Sequence, residues 1–137
     1  MNAVLDTGPW VALIDRSESN HHKCVQWFKD FSGRLYATEA VLTEVLYLLN
    51  FSITAQKAAF DFVLENIVEI IPTDLDSTEQ AKSLMLKYAD LPMDYADATL
   101  VTLAENAAIS TIVTLDRKDF SIYRLPGRNA FHILPEE

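Results

Sequence analysis

The spacing of apolar positions changes along the chain, and each change marks a new element. Ala3-Val4-Leu5 is a continuous apolar run, the pattern of a strand buried on both faces. Gly8-Pro9 marks a helix start, because proline suits the first helical position. Trp10, Val11, Leu13 and Ile14 follow at helical spacing. After a polar break over Ser17–Asn20, Cys24, Trp27, Phe28 and Phe31 recur at i, i+3, i+4 and i+7. That spacing predicts an amphipathic helix, with Gly33 as its stop. Leu35–Ala37 reads as a second strand, Val41–Leu49 as a helix with a wide apolar face, and Ala58, Phe60, Phe62 and Val63 as part of another.

The β-branched run Ile67–Ile71 before Pro72 predicts a third strand. Ser77-Thr78-Glu79-Gln80 has the form of a capping box, and Ala81, Leu84, Met85 and Tyr88 supply the stripe behind it. Pro92 precedes a helix expected over about Asp94–Ala107. Thr111–Leu115 predicts a fourth strand and Phe131–Leu134 a short fifth. Strands that alternate with helices imply βαβ crossovers, and so an α/β protein of three α/β/α layers around a mostly parallel sheet. There is no internal repeat, linker or low-complexity segment. With three glycines in all, the chain has no Gly-rich phosphate loop, which excludes the Rossmann and Walker nucleotide sites.

Composition narrows this picture. A length of 137 residues suits one domain over 1–137, and 50% hydrophobic residues can fill its core. The one cysteine, Cys24, excludes an intrachain disulfide and suits a reducing cytoplasm. Met1–Trp10 lacks the basic start of a signal peptide. Val41–Phe51 is interrupted by Glu44 and falls short of the roughly 20 residues of a membrane span. A soluble, cytoplasmic protein with no membrane partner is expected. The net charge of −9 argues against nucleic acid, which is bound through Lys and Arg, unless some of the acids hold cations.

Several acids fall where such a site would form. Asp6 follows the first strand and Asp116 the fourth, and open α/β sheets bind ligands outside the carboxyl ends of their strands. The two share a site only if these strands are neighbours, which spacing cannot show. Glu44 lies at the edge of an apolar helix face, where it either snorkels to water or needs a partner. Asp94 reads as an N-cap and Asp97 as a first-turn acid, each explained by local helix chemistry alone. Asp6 has the same local reading as a turn residue. Four carboxylates in one pocket, however, stay ionised only around a cation, and oxygen ligands suit Mg²⁺ or Mn²⁺. No Cys/His cluster has zinc spacing: His21 and His22 are adjacent, expected on the exposed side of their helix, and His132 is distant. No nucleophile elbow is present.

The ordered blocks "VLDTGPWVALID", "AVLTEVLYLL", "PMDYADATLVTLAE" and "IVTLDRKDF" resemble the PIN-domain nucleases over nearly the whole chain, most closely the VapC-like toxin branch. The resemblance implies a sheet of order 3-2-1-4-5, with strands one and four side by side. It implies metal-dependent hydrolysis of RNA by Asp6, Glu44, Asp97 and Asp116, leaving a 5′-phosphate and a 3′-hydroxyl. Asp6 and Asp97 are the first expected ligands of Mg²⁺ or Mn²⁺. Asp116 completes the shell or orients the attacking water, and Glu44 binds a second metal or acts through water. Thr7, Thr114 and Asp94 match positions beside the acids. Asp119 reads as supporting or turn-forming, and Phe120 as packing. Arg117 and Lys118, next to Asp116, are the best candidates for RNA contact. A homodimer and an inhibitory antitoxin protein are further implications.

The loop "NFSITAQKA" lacks the glycines expected there in this branch, which bears on an RNA-facing or dimer-facing surface. Three alternatives stand beside the toxin reading. A phosphatase of the haloacid dehalogenase type needs an Asp where Gly8 stands. A PIN-like RNA-processing nuclease outside a toxin–antitoxin pair keeps the same acids. A catalytically silent partner-binding module does not need them.

Overall fold

β1 (Asn2–Leu5) is the centre of the molecule, because Ala3, Val4 and Leu5 have no polar side chain to turn to water and are wholly buried. The computed structural model describes residues 1–137. β2 (Arg34–Ala37) pairs with β1 on one side, and β3 (Val68–Ile70) lies beyond it. β4 (Thr111–Val113) pairs with β1 on the other side, and β7 (His132–Leu134) forms the far edge. All four pairings are parallel. The order is therefore β3-β2-β1-β4-β7, with the expected fifth strand in its expected place. A small antiparallel hairpin, β5 (Arg124–Leu125) with β6 (Asn129–Ala130), stands apart from the sheet. It had no counterpart among the expected strands, although Pro126-Gly127 between its arms is an ordinary turn signal.

The helices form two groups. α1 (Thr7–Ile14), α2 (His21–Asp30), α3 (Glu39–Leu48) and α4 (Ile53–Leu64) pack together, and α5 (Leu75–Lys87) packs on α6 (Tyr95–Ala107). Right-handed crossovers in this strand order put the two groups on opposite faces of the sheet. Trp10 of α1 is buried and stacks on Phe62 of α4, 6.2 Å between ring centroids. In α6 every residue from Ala98 to Ala104 is buried, so it reads as a core helix rather than an amphipathic one. A single cluster of 29 buried apolar residues joins both groups through the sheet. No helix is long and apolar enough to cross a membrane.

Several local expectations shift by a few residues. α1 starts at Thr7, so Gly8 and Pro9 lie inside its first turn and Asp6 is the cap. The capping box at Ser77 is displaced: Asp74 is the N-cap of α5 and accepts from Ser77 N–H at 2.8 Å. An aspartate placed just before Leu75 in extended backbone reaches that N–H first. His21 is half-buried rather than exposed, with Nδ1 2.6 Å from the Ala12 carbonyl, while His22 is exposed as expected. β4 ends at Val113, short of Leu115. The short helix α7 (Arg117–Phe120) and buried Phe120 follow.

Gly33 does not stop α2, which ends at Asp30. It lets two backbones pass: a Cβ there would lie 1.9 Å from the Met1 carbonyl oxygen, the atom that accepts from Arg34 N–H at the start of the β1–β2 pairing. Gly33→Ala should lower unfolding free energy by about 2 kcal/mol or more, read by urea titration, because a carbonyl cannot move aside as a flexible side chain can. Gly8→Ala places its Cβ at 3.5 Å from Leu115, an ordinary contact, and should be neutral or slightly stabilising within a helix.

Candidate functional site

The register of β1 on β4 sets the site. Leu5 lies opposite Val113, so the next residues, Asp6 and Thr114, leave the sheet side by side. Asp6 N–H donates to the Val113 carbonyl at 2.9 Å, and Thr114 Oγ1 donates to Asp6 Oδ2 at 2.7 Å. The same Thr114 hydroxyl accepts from Asp116 N–H at 3.0 Å. Asp6 Oδ1 accepts from Thr7 N–H at 2.8 Å, and Thr7 Oγ1 donates to Glu44 Oε1 at 2.8 Å. Two threonine hydroxyls thus join Asp6 to Glu44 on α3 and to the turn that carries Asp116. α3 is in turn tied to α6, because the Thr38 and Thr99 hydroxyls bond at 2.8 Å.

A repeated device places the remaining acids. Asp94 caps α6 by accepting from Asp97 N–H at 2.8 Å, and Asp116 caps α7 by accepting from Asp119 N–H at 3.0 Å. In each Asp-x-x-Asp unit the first carboxylate uses one oxygen to hold the backbone of the second. Carboxylate oxygens of Asp97, Asp116 and Asp119 all lie within 4.8 Å of one another. Asp119, expected to support or to form a turn, is therefore one of the tight trio. Asp6, an expected first ligand, is buried next to it and acts on Asp97 through its charge. The recurrence of Asp-x-x-Asp was the sequence signal that could have promoted Asp119. Tyr123 also went unforeseen: its hydroxyl donates to Asp97 Oδ2 at 3.2 Å. An aromatic three residues past Phe120 reads as core, and only the fold shows where its oxygen goes.

These acids repel one another. Burial, more than any charge, pushes the Asp6 carboxyl up to about 6, against its hydrogen bonds from Thr114 and Thr7, with Glu44 and Asp94 adding repulsion. Asp97 is pushed up to about 8, by burial first and then by the charges of Asp6, Asp94 and Asp116. Asp119 is also raised, by burial and by Asp116. None of these carboxylates is paired with a Lys, Arg or His. An all-oxygen donor set, crowded and offset by no salt bridge, with only Lys118 acting on Asp119 through its charge, fits a hard divalent cation. Of the two candidate RNA-binding cations, Arg117 is engaged elsewhere, donating to the Pro135 carbonyl at 2.8 Å and pairing with Glu137 at 3.1 Å. Lys118 is exposed and unpaired.

A PIN domain matches residues 3–125. Ribonuclease VapC26 of Mycobacterium tuberculosis is 28% identical over 134 residues, 96% of this chain and 99% of that protein. Among solved structures, the chain resembles VapC20 of Mycobacterium tuberculosis, described as a sarcin-ricin loop cleaving toxin, with a TM-score of 0.78 at 21% identity over 85% of this chain and 91% of that one. It also resembles VapBC2 of Rickettsia felis bound to a DNA fragment from its promoter, with a TM-score of 0.66 at 20% identity over 97% and 98%. These two structures share its fold.

Crowding at the site sets a pH dependence. In the unfolded chain both carboxyls titrate at the ordinary 3.8. Above that value the metal-free native state holds the extra protons, so their contribution to stability falls as pH rises, up to about 6 for Asp6 and about 8 for Asp97. Asp97→Asn, neutral in both the folded and unfolded states, should melt above wild type by a smaller margin at about pH 5.5 than at about pH 8.5. Equal differences in melting temperature at the two pH values would contradict this origin of the strain.

Proposed function

The chain belongs to the PIN-domain family, and from that premise we propose that it is a metal-dependent endoribonuclease, the toxin of a type II toxin–antitoxin pair. The observation that carries the chemistry is the convergence of Asp6, Glu44, Asp97, Asp116 and Asp119 at the carboxyl ends of β1 and β4 with no salt bridge to any of them. The relative VapC26, a ribonuclease by name and alike along nearly the whole chain, supports RNA as the substrate. The VapBC complex among the structural relatives supports an antitoxin partner.

Asp97, Asp116 and Asp119 are the set that would hold Mg²⁺ or Mn²⁺, with Asp6 beside them. Such an ion supplies positive charge against the scissile phosphate and lowers the pKa of water at the site. The residues divide the remaining work. Asp6, held through both oxygens, keeps a fixed negative charge at the floor of the site. Glu44, oriented by Thr7, adds a second carboxylate beside Asp6. Asp116 is exposed at the mouth, where it can take the proton of an attacking water. Attack on phosphorus opposite the O3′ leaving group breaks the P–O3′ bond, and with the departing O3′ taking a proton from solvent water it leaves a 5′-phosphate and a 3′-hydroxyl. Lys118 is the cation free to steady a neighbouring phosphate. Arg117 would first have to leave Pro135 and Glu137.

The exposed apolar side chains Tyr47, Leu48, Phe51, Ile53, Phe60 and Leu64 along α3, its following loop and α4 support a protein partner, whether antitoxin or second copy. That stripe also runs through the segment that lacks glycines.

With Mn²⁺ present, Asp97→Asn should cut a structured RNA at least ~100-fold more slowly than wild type, as expected when charge-stabilising groups of a hydrolytic centre are lost. Equal rates on a denaturing gel would sink the assignment. Calorimetric Mn²⁺ affinity should rise as pH increases toward about 8, because binding must displace the proton held on Asp97. A gene for a small DNA-binding protein beside this one would favour the toxin role over general RNA processing.

A further inference from the structure

We infer that Tyr123 is a positioning residue for the metal-holding side of the site, its hydroxyl fixing the Asp97 carboxylate beside Asp116 and Asp119. The inference rests on the reading of those acids as a divalent-cation centre. Its support is geometric. Asp6 is oriented by the Thr114 hydroxyl and Glu44 by the Thr7 hydroxyl. Asp97 takes its hydroxyl from Tyr123, and no other side chain donates to it. Tyr123 is wholly buried, and its ring meets Tyr88 edge-on at 5.0 Å and Phe120 at 5.1 Å. Phe120 is itself braced by Phe131 at 5.9 Å. A phenol wedged between two rings cannot swing its oxygen away.

The backbone makes the same link. Tyr123 N–H donates to the Asp119 carbonyl at 3.1 Å, so one residue joins the Asp119 turn to the Asp97 side chain on α6. The two acids lie on separate elements, and their separation depends on how the α7 turn is held beside Asp97. The chemistry of the donor also matters. A lysine or arginine in this place would neutralise Asp97 and compete with a bound cation. A phenol orients the carboxylate and leaves its charge for the metal.

Tyr123→Phe keeps the ring and removes only the oxygen, so the aromatic packing and the fold should survive, as checked by circular dichroism. The expected result is a Mn²⁺ dissociation constant raised about tenfold to a hundredfold by calorimetry, the usual effect of losing a group that orients a metal ligand. Cleavage of RNA should fall through kcat with little change in KM. Tyr88→Phe is the comparison, because its hydroxyl accepts from Arg124 N–H and touches no site acid. It should leave Mn²⁺ affinity as in wild type. Equal weakening in both variants would reduce Tyr123 to packing, and unchanged Mn²⁺ affinity in Tyr123→Phe would overturn its role. Metal-free crystal structures of wild type and Tyr123→Phe give an independent reading. Asp97 should keep one orientation in the first and take a different or second one in the variant. Absence of Mn²⁺ binding by wild type would refute the cation centre itself, and an unchanged Asp97 in the variant crystal would refute the positioning.

Discussion

A single hydroxyl, that of Thr114, holds the two halves of the site together. It donates to Asp6 at the end of β1 and accepts from the backbone N–H of Asp116 after β4. Both bonds depend on the parallel register that sets Leu5 opposite Val113. One residue of slip would send Thr114 to the other face of the sheet and separate the acids. The buried apolar run Ala3–Leu5, central in the sheet, is what prevents that slip. The site is thus specified by the same packing that specifies the fold.

The acids in this site are structural and chemical at once. Asp6, Asp94 and Asp116 each cap a helix, and each cap uses Oδ1. Asp94 and Asp116 keep their second oxygen for other work. Asp6 spends both, which suits a fixed charge better than an exchangeable ligand. Caps also point helix N-termini at the crowded carboxylates, and the positive ends of α1 and α6 soften their repulsion. Burial still dominates, as the raised Asp6 and Asp97 carboxyls show. The fold carries that strain because the threonine and tyrosine hydroxyls hold the acids without neutralising them.

The net charge of −9 is less of an obstacle to RNA once the acids are located. A large share of the nearby negative charge is concentrated at the centre itself, where a divalent ion would offset it. Basic groups are sparse there. Lys118 stands free, whereas Arg117 is held by the last residues of the chain. Recognition of RNA by this face must rest on shape and on few cations, in keeping with how folded RNA is read.

Periodicity and turn signals delivered the five strands of the main sheet, the six longer helices and the α/β/α architecture, because each of these buries a face whose spacing is written in the chain, but not α7 or the β5–β6 hairpin. The resemblance of four ordered blocks added the strand order, which periodicity cannot supply. Asp6, Glu44, Asp97 and Asp116 were legible as acids at strand ends and helix edges. Local backbone chemistry decided the small displacements: Asp74 rather than Ser77 caps α5, and Gly33 serves a close approach of two backbones rather than a helix stop. Which oxygens meet was decided by tertiary structure alone. Asp119 entered the trio because the Asp116 cap and the Tyr123 backbone bond hold its turn beside Asp97, and Tyr123 reached Asp97 across 26 positions because aromatic packing aims its hydroxyl there. Sequence spacing carries helix and strand faces, but contacts between distant segments depend on how those faces dock.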